Sequence, residues 1–227
     1  MEYLVTMTTH VPDGTTADAV ADVRARESAH TRELAAHGYV LRLWRPPLAP
    51  GEWRTLGLFA AADAADLERV LASMPLRVWR SDEIKELAGH PNDPDQAVSA
   101  DAPSASASSL SVGAASEFLV TFTPAVPEGT PEHDIAEATA READRASELA
   151  RQGHLIRLWR LPAEPGGPAA MGLWRASGQD EMEAILASLP QRKYLTTRTT
   201  PLTPHPSDPG APGSRARRAA RTGADHG

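Results

Sequence analysis

Two α+β units in tandem, each of β-α-β-β-α-β order, are predicted by two observations. The first is an internal repeat that aligns without a gap at one offset, 142 − 27 = 115 for Glu27 and Glu142 and 157 − 42 = 115 for Arg42 and Arg157. The second is the switching of hydrophobic period within each copy, from two in short β-branched runs to that of a helix in long uninterrupted ones.

Residues 2–9 alternate, with Tyr3, Val5 and Met7 facing one way and Leu4, Thr6 and Thr8 the other, as in a strand. Pro12, Asp13 and Gly14 turn the chain, Thr15 or Thr16 can cap a helix, and no Gly or Pro intervenes before Gly38, so that helix is expected over 17–37. A second strand covers 39–45 and ends at Pro46, Pro47, Pro50 and Gly51; a third covers 53–60. Asp63 caps a second helix that runs to Ser73, where Pro75 prevents its continuation. A fourth strand is expected over 76–80, with an extension over 84–87. This is the split βαβ, or ferredoxin-like, order: an antiparallel sheet with two helices on one face.

From 92 to 116 the chain is rich in Ala, Ser, Asp and Pro, which reads as a flexible linker. The second copy then repeats the first, Gly153 on Gly38, Pro190 on Pro75 and His205-Pro206 on His90-Pro91. The expected domains are 1–91 and 117–206. Residues 207–227 read as a disordered tail, whose Arg215, Arg217, Arg218 and Arg221 are better explained as solvated than as a partner site.

Composition narrows the function. A formal charge of −7 over 227 residues gives no positive field for nucleic acid or an anionic membrane. No apolar run reaches the ~20 residues needed to cross a bilayer, and the first residues lack a secretory signal, so a cytoplasmic location is expected. The absence of cysteine removes disulfides, thiolate catalysis and Cys-ligated zinc. There is no Gly-rich phosphate loop, no His pair at metal spacing and no nucleophile triad order. A site with no cofactor and no metal, working on a small molecule by proton transfer, is what these residues leave.

Glu27 is the candidate base. Val20, Glu27 and Leu34 are spaced by seven and Val23 lies four before the glutamate, so a carboxylate sits on the stripe that should face the sheet. Ile135, Glu142 and Leu149 repeat the pattern. Burial raises a carboxyl pKa toward the range in which it takes and returns a proton. The structural alternative is a salt bridge from Glu27 to Arg42 or Arg45. Strand alternation puts Arg42 and Trp44 on one face and Leu43 and Arg45 on the other, so without a bulge or a second subunit only one arginine of each pair, Arg42/Arg45 or Arg157/Arg160, grips a substrate carboxylate. Trp44 and Trp159 read as packing residues. His90 and His205 are candidate ligand donors, although an exposed turn histidine is the commoner outcome.

The pattern Tyr3-Leu4-Val5-Thr6-Met7-Thr8, Arg26-Glu27, Gly38, Leu43-Trp44-Arg45, Met74-Pro75-Leu76 and His90-Pro91 resembles the muconolactone Δ-isomerases. The second copy carries its counterparts, Phe118 to Thr123, Arg141-Glu142, Gly153, Leu158-Trp159-Arg160, Leu189-Pro190 and His205-Pro206. The resemblance implies ferredoxin-like sheets pairing as a dimeric α/β barrel, here within one chain, with further assembly into rings. It also implies cofactor-free conversion of muconolactone to the 3-oxoadipate enol-lactone, with Glu27 and Glu142 as proton carriers. A pocket is expected in each repeat, between the first helix and the sheet, with the glutamate at its wall. The chain departs from the family at Arg42 and Arg157, which stand where a histidine usually precedes Leu-Trp-Arg. Two other readings are a cofactor-free oxygenase or cyclase on the same fold, and a non-catalytic binding or regulatory barrel.

Overall fold

A computed structural model describes residues 1–97 and 115–211. The central part of the expected linker and the arginine cluster after residue 211 lie outside the described residues. The chain divides into two compact units, Met1–Glu86 with Thr203 onward, and Leu87–Leu202. The division falls inside the last strand of each repeat, so each unit is completed by residues from the end of the other repeat.

In the first unit β1 (Glu2–Thr9), α1 (Ala17–Ala36), β2 (Val40–Arg45), β3 (Arg54–Ala60), α2 (Ala64–Ser73) and β4 (Arg80–Gly89) keep the expected order. The sheet runs β4-β1-β3-β2, the ferredoxin-like order, with β3 antiparallel to β1 and β2. Thr16 caps α1, its hydroxyl accepting from the Ala19 N–H at 3.2 Å. Asp63 caps α2 through the Asp66 N–H at 2.8 Å. Gly38, at φ +82°, ends α1 in a conformation other residues rarely adopt. Tyr3, Val5, Met7, Leu43 and Phe59 on one sheet face pack with Leu34, Leu67 and Leu71 of the helices.

The fourth strand departs from the sequence reading. Pro75–Trp79 is a 3-10 turn and β4 starts only at Arg80. The cause is local: Pro75 opens the turn, the Arg77 N–H closes on the Met74 carbonyl at 2.9 Å, and the Leu76 N–H is taken by a side chain rather than a strand.

After the four-residue α3 (Pro94–Ala97), the second unit contains β5 (Ser116–Pro124), α4 (Glu132–Arg151), β6 (Leu155–Arg160), β7 (Ala170–Ala176), α5 (Gln179–Ala187) and β8 (Leu195–Pro204). Its sheet order is β8-β5-β7-β6, all antiparallel. Its core replaces Phe59 by Trp174, whose indole lies over Gly172 so closely that a Cβ there would collide. No described helix is long and apolar enough to cross a membrane.

Candidate functional site

Glu27 reaches the first unit's site from the middle of α1, one turn from the buried Val23 and Thr31. Its side chain is 13% exposed and lines a cavity of about 430 Å³. Oε2 accepts the Leu76 N–H at 2.8 Å, and Oε1 lies 3.4 Å from Nη1 of Arg80. Burial raises the pKa of Glu27; the Leu76 N–H, Arg80 and His30 pull it down, and Asp82 pushes it up. A desolvated acid held by one backbone donor and one guanidinium is suited to proton exchange.

Arg80 is itself buried and held from behind. Its Nε is 2.6 Å from Asp82 Oδ1, an ion pair whose angle falls short of a hydrogen bond, while Nη2 donates to Oδ2 at 3.0 Å. Arg77 also binds Asp82, at 2.8 Å. The glutamate's ionic partner is therefore Arg80, and neither Arg42 nor Arg45.

Three basic groups, Arg24, Arg45 and His205, join the cavity lining, and Met7, Leu43, Met74 and Leu76 supply apolar surface. Arg24 lies over the Trp53 ring at 5.3 Å. His205 is anchored by its own N–H, which donates to the Leu43 carbonyl at 3.0 Å. Its Nδ1 accepts from the Ser207 N–H at 3.1 Å, so the neutral ring carries its proton on Nε2. Burial lowers its pKa to about 4, helped by Arg45 and Arg24 and opposed by Asp208, and the ring is neutral at pH 7. Ser28 and Ser207, 3.1 Å apart through their hydroxyls, tie α1 to the same C-terminal segment.

Arg42 goes elsewhere. A register shift between Val40 and Arg42 precedes it, and from there the strand alternates as expected: Leu43 and Arg45 line the cavity while Arg42 and Trp44 face away. The Arg42 guanidinium stacks on Trp44 at 4.8 Å and grips Asp208, Nη2 to Oδ2 at 3.1 Å. The same carboxylate takes the Leu43 N–H at 3.0 Å and is fully buried. Arg42 thus secures the C-terminal segment that carries His205.

In the second unit Glu142 accepts the Gln191 N–H at 2.9 Å, and burial again raises its pKa. The surroundings differ. Leu195 stands at the repeat position of Arg80, Thr197 at Asp82, Thr139 at Arg24 and Phe122 at Met7. Phe122 packs on Trp174 with ring centroids 6.3 Å apart, and Thr139 accepts from the Gln191 side chain at 2.6 Å. Arg160 donates to the Gly89 carbonyl at 3.0 Å. His90 accepts the Asn92 N–H at Nδ1, 3.1 Å, and burial, then Arg160, lowers its pKa. Arg157 binds Asp93 at 3.2 Å and Asp95 at 3.2 Å, matching the Arg42 clamp.

Sequence reasoning missed Arg80, Asp82 and Arg24, which have no counterpart in the second copy, and the clamp residues Asp93 and Asp208. The last two fall in the stretches assigned by composition to linker and tail. They carried a signal, since 208 − 93 = 115 repeats the offset of Arg42 and Arg157. Among the described residues no group of three or more His, Asp or Glu is placed to hold a metal ion.

Comparison with known proteins bears on both copies. The family model described as muconolactone delta-isomerase matches residues 1–93 and 116–208. Muconolactone Delta-isomerase 1 of Acinetobacter lwoffii is 27% identical over 92 residues, 40% of this chain and 93% of that protein. The muconolactone Delta-isomerase of Cupriavidus pinatubonensis is 29% identical over 92 residues, 40% of this chain and 97% of that protein. Among solved structures, a mutant chlorite dismutase from Candidatus Nitrospira defluvii aligns over 89% of this chain and 91% of its own, with TM-score 0.56 and 10% identity, a likeness of fold alone.

Proposed function

The chain belongs to the muconolactone delta-isomerase family, and from that premise we propose that it is a cofactor-independent isomerase of a small unsaturated lactone, working through Glu27 in the first unit. The substrate is muconolactone, converted to the 3-oxoadipate enol-lactone in cytoplasmic breakdown of aromatic compounds, or a close analogue. The observation that carries this reading is one mostly buried carboxylate, raised in pKa, at the wall of a cavity of about 430 Å³.

Ionised Glu27 takes the ring proton next to the lactone oxygen. The electron pair of the broken C–H bond spreads through the lactone carbonyl as a dienolate, and the carboxyl returns the proton two carbons away. Atoms and charge balance without a further reactant. Arg24 and Arg45 favour the substrate carboxylate, the Nε2–H of neutral His205 is a donor for the developing oxyanion, and the apolar side chains receive the ring.

A second reading holds for the second unit. Glu142 keeps the backbone contact to Gln191, but Leu195 replaces the nearby cation, which favours a structural acceptor there. The test is muconolactone turnover in deuterated buffer, monitored by NMR. The enol-lactone should form with wild type, and Glu27→Gln/Glu142→Gln should slow it by roughly 10²–10⁴. Equal rates in the two proteins, or no product from wild type, contradict the proposal.

A further inference from the structure

The 3-10 turn Pro75–Trp79 and the first residue of β4 present two donors to the two oxygens of one carboxylate: the Leu76 N–H to Oε2 at 2.8 Å and the Arg80 guanidinium to Oε1 at 3.4 Å. Asp82 holds Nε and Nη2 of that guanidinium, which leaves Nη1 toward Glu27 and the Met74 sulfur, 3.6 Å away. Both side chains of the pair are 2% exposed.

A buried ion pair of this kind contributes little to stability, because desolvation offsets its attraction. Nor does the fold require it. The second unit builds the corresponding turn, Arg192–Tyr194, and strand with Leu195 and Thr197 in place of Arg80 and Asp82, and still delivers the Gln191 N–H to Glu142 at 2.9 Å. What the pair adds is the guanidinium at Glu27, with Arg77 bound to the same aspartate at 2.8 Å.

We propose that Arg80, oriented by Asp82, is a positioning residue for Glu27, fixing Oε1 at the cavity wall in the ionised form that accepts a proton. The other charged or titratable groups facing the site are His30 and Arg24 on α1, Arg45 on β2 and His205 in the C-terminal segment. Arg80 is the one among them whose guanidinium meets the carboxylate within 4 Å.

The inference rests on the proton-transfer reading for its consequence, while its test does not. The carboxyl groups of Glu27 and Glu142 are titrated by 13C NMR in the full chain without ligand, in wild type, Arg80→Lys and Arg80→Leu/Asp82→Thr. The double variant gives the first unit the residues of the second. Arg80 lowers the Glu27 pKa more than Asp82 raises it, so removing both should still raise the Glu27 midpoint, by up to about 1 unit, with the Glu142 midpoint unmoved and Arg80→Lys closer to wild type. In turnover, the acid limb of kcat/KM should move up in pH equally, a loss of up to about tenfold well below the midpoint. An unmoved Glu27 midpoint in the folded double variant overturns the proposal.

The reverse graft, Leu195→Arg/Thr197→Asp, keeps the test open if the first variant does not fold. It should lower the Glu142 midpoint, and an unchanged midpoint there also counts against the role. A shifted midpoint in a protein that turns over no lactone sinks the isomerase reading and leaves the positioning role standing.

Discussion

Glu27 and Glu142 occupy the same place on the same helix in two copies of one fold, and each accepts a backbone N–H from the turn before the last strand, at 2.8 and 2.9 Å. Around that shared contact the units differ. Glu27 has Arg80 behind it and Arg24, Arg45 and His205 along its cavity; in the second copy Leu195, Thr139 and Phe122 stand at the repeat positions of Arg80, Arg24 and Met7. The fold therefore demands a carboxylate's hydrogen bond at this point and nothing more. Arg45 and His205 keep counterparts in Arg160 and His90, whereas Arg80, Asp82 and Arg24 stand in one copy only, and these three are the part that the proposed chemistry has to explain.

The clamps give the opposite comparison, since Arg42 with Asp208 and Arg157 with Asp93 repeat almost unchanged. If they serve the frame, damage to either unit should be alike. Asp208 and Asp93 are 0% and 1% exposed, so Arg42→Ala or Arg157→Ala strands a buried charge and should each cost about 3–5 kcal/mol, read by urea unfolding. Arg157→Ala should cost no less than Arg42→Ala; a near-neutral result for either breaks the symmetry of the frame.

A smaller effect concerns acid. His205 falls from 6.5 to about 4 on folding, so the unfolded chain takes up this proton first as pH drops. Stability from this group is full above pH 6.5 and is lost as pH falls toward 4. His205→Gln should flatten that part of the stability-pH curve, and an unchanged slope would remove the claim that the ring is held neutral.

Smallest is the effect of the glutamates on stability. Their folded pKa values are raised, so the folded state binds the proton more tightly, and stability declines as pH rises from the ordinary carboxylate range through the raised value. Glu27→Gln should then match or slightly exceed wild type in Tm at about pH 8, because the amide oxygen still accepts the Leu76 N–H. A marked fall in Tm would instead mean that the contact to Arg80 is structural.

Much of this was legible in the chain. The repeat, the caps at Thr16 and Asp63, the stop at Gly38 and the place of Glu27 on the inward stripe are local patterns, and local patterns survive folding. Arg80 was not legible, because a proline-opened turn moved the start of the last strand from residue 76 to 80 and so changed which side chain meets the glutamate. Asp93 and Asp208 were hidden for another reason. A carboxylate in a proline-rich stretch follows no helical or strand period and is marked here by the 115-residue repeat alone, and each acquires its partner from a strand 64 or more residues away.

The most direct measurement is the rate of Glu27→Gln with Glu142 intact. If the first unit carries the reaction, kcat for lactone isomerisation falls by roughly 100-fold or more, while Glu142→Gln keeps the wild-type rate. Retention of about half the wild-type kcat in Glu27→Gln, the result expected of two equivalent sites, would contradict it.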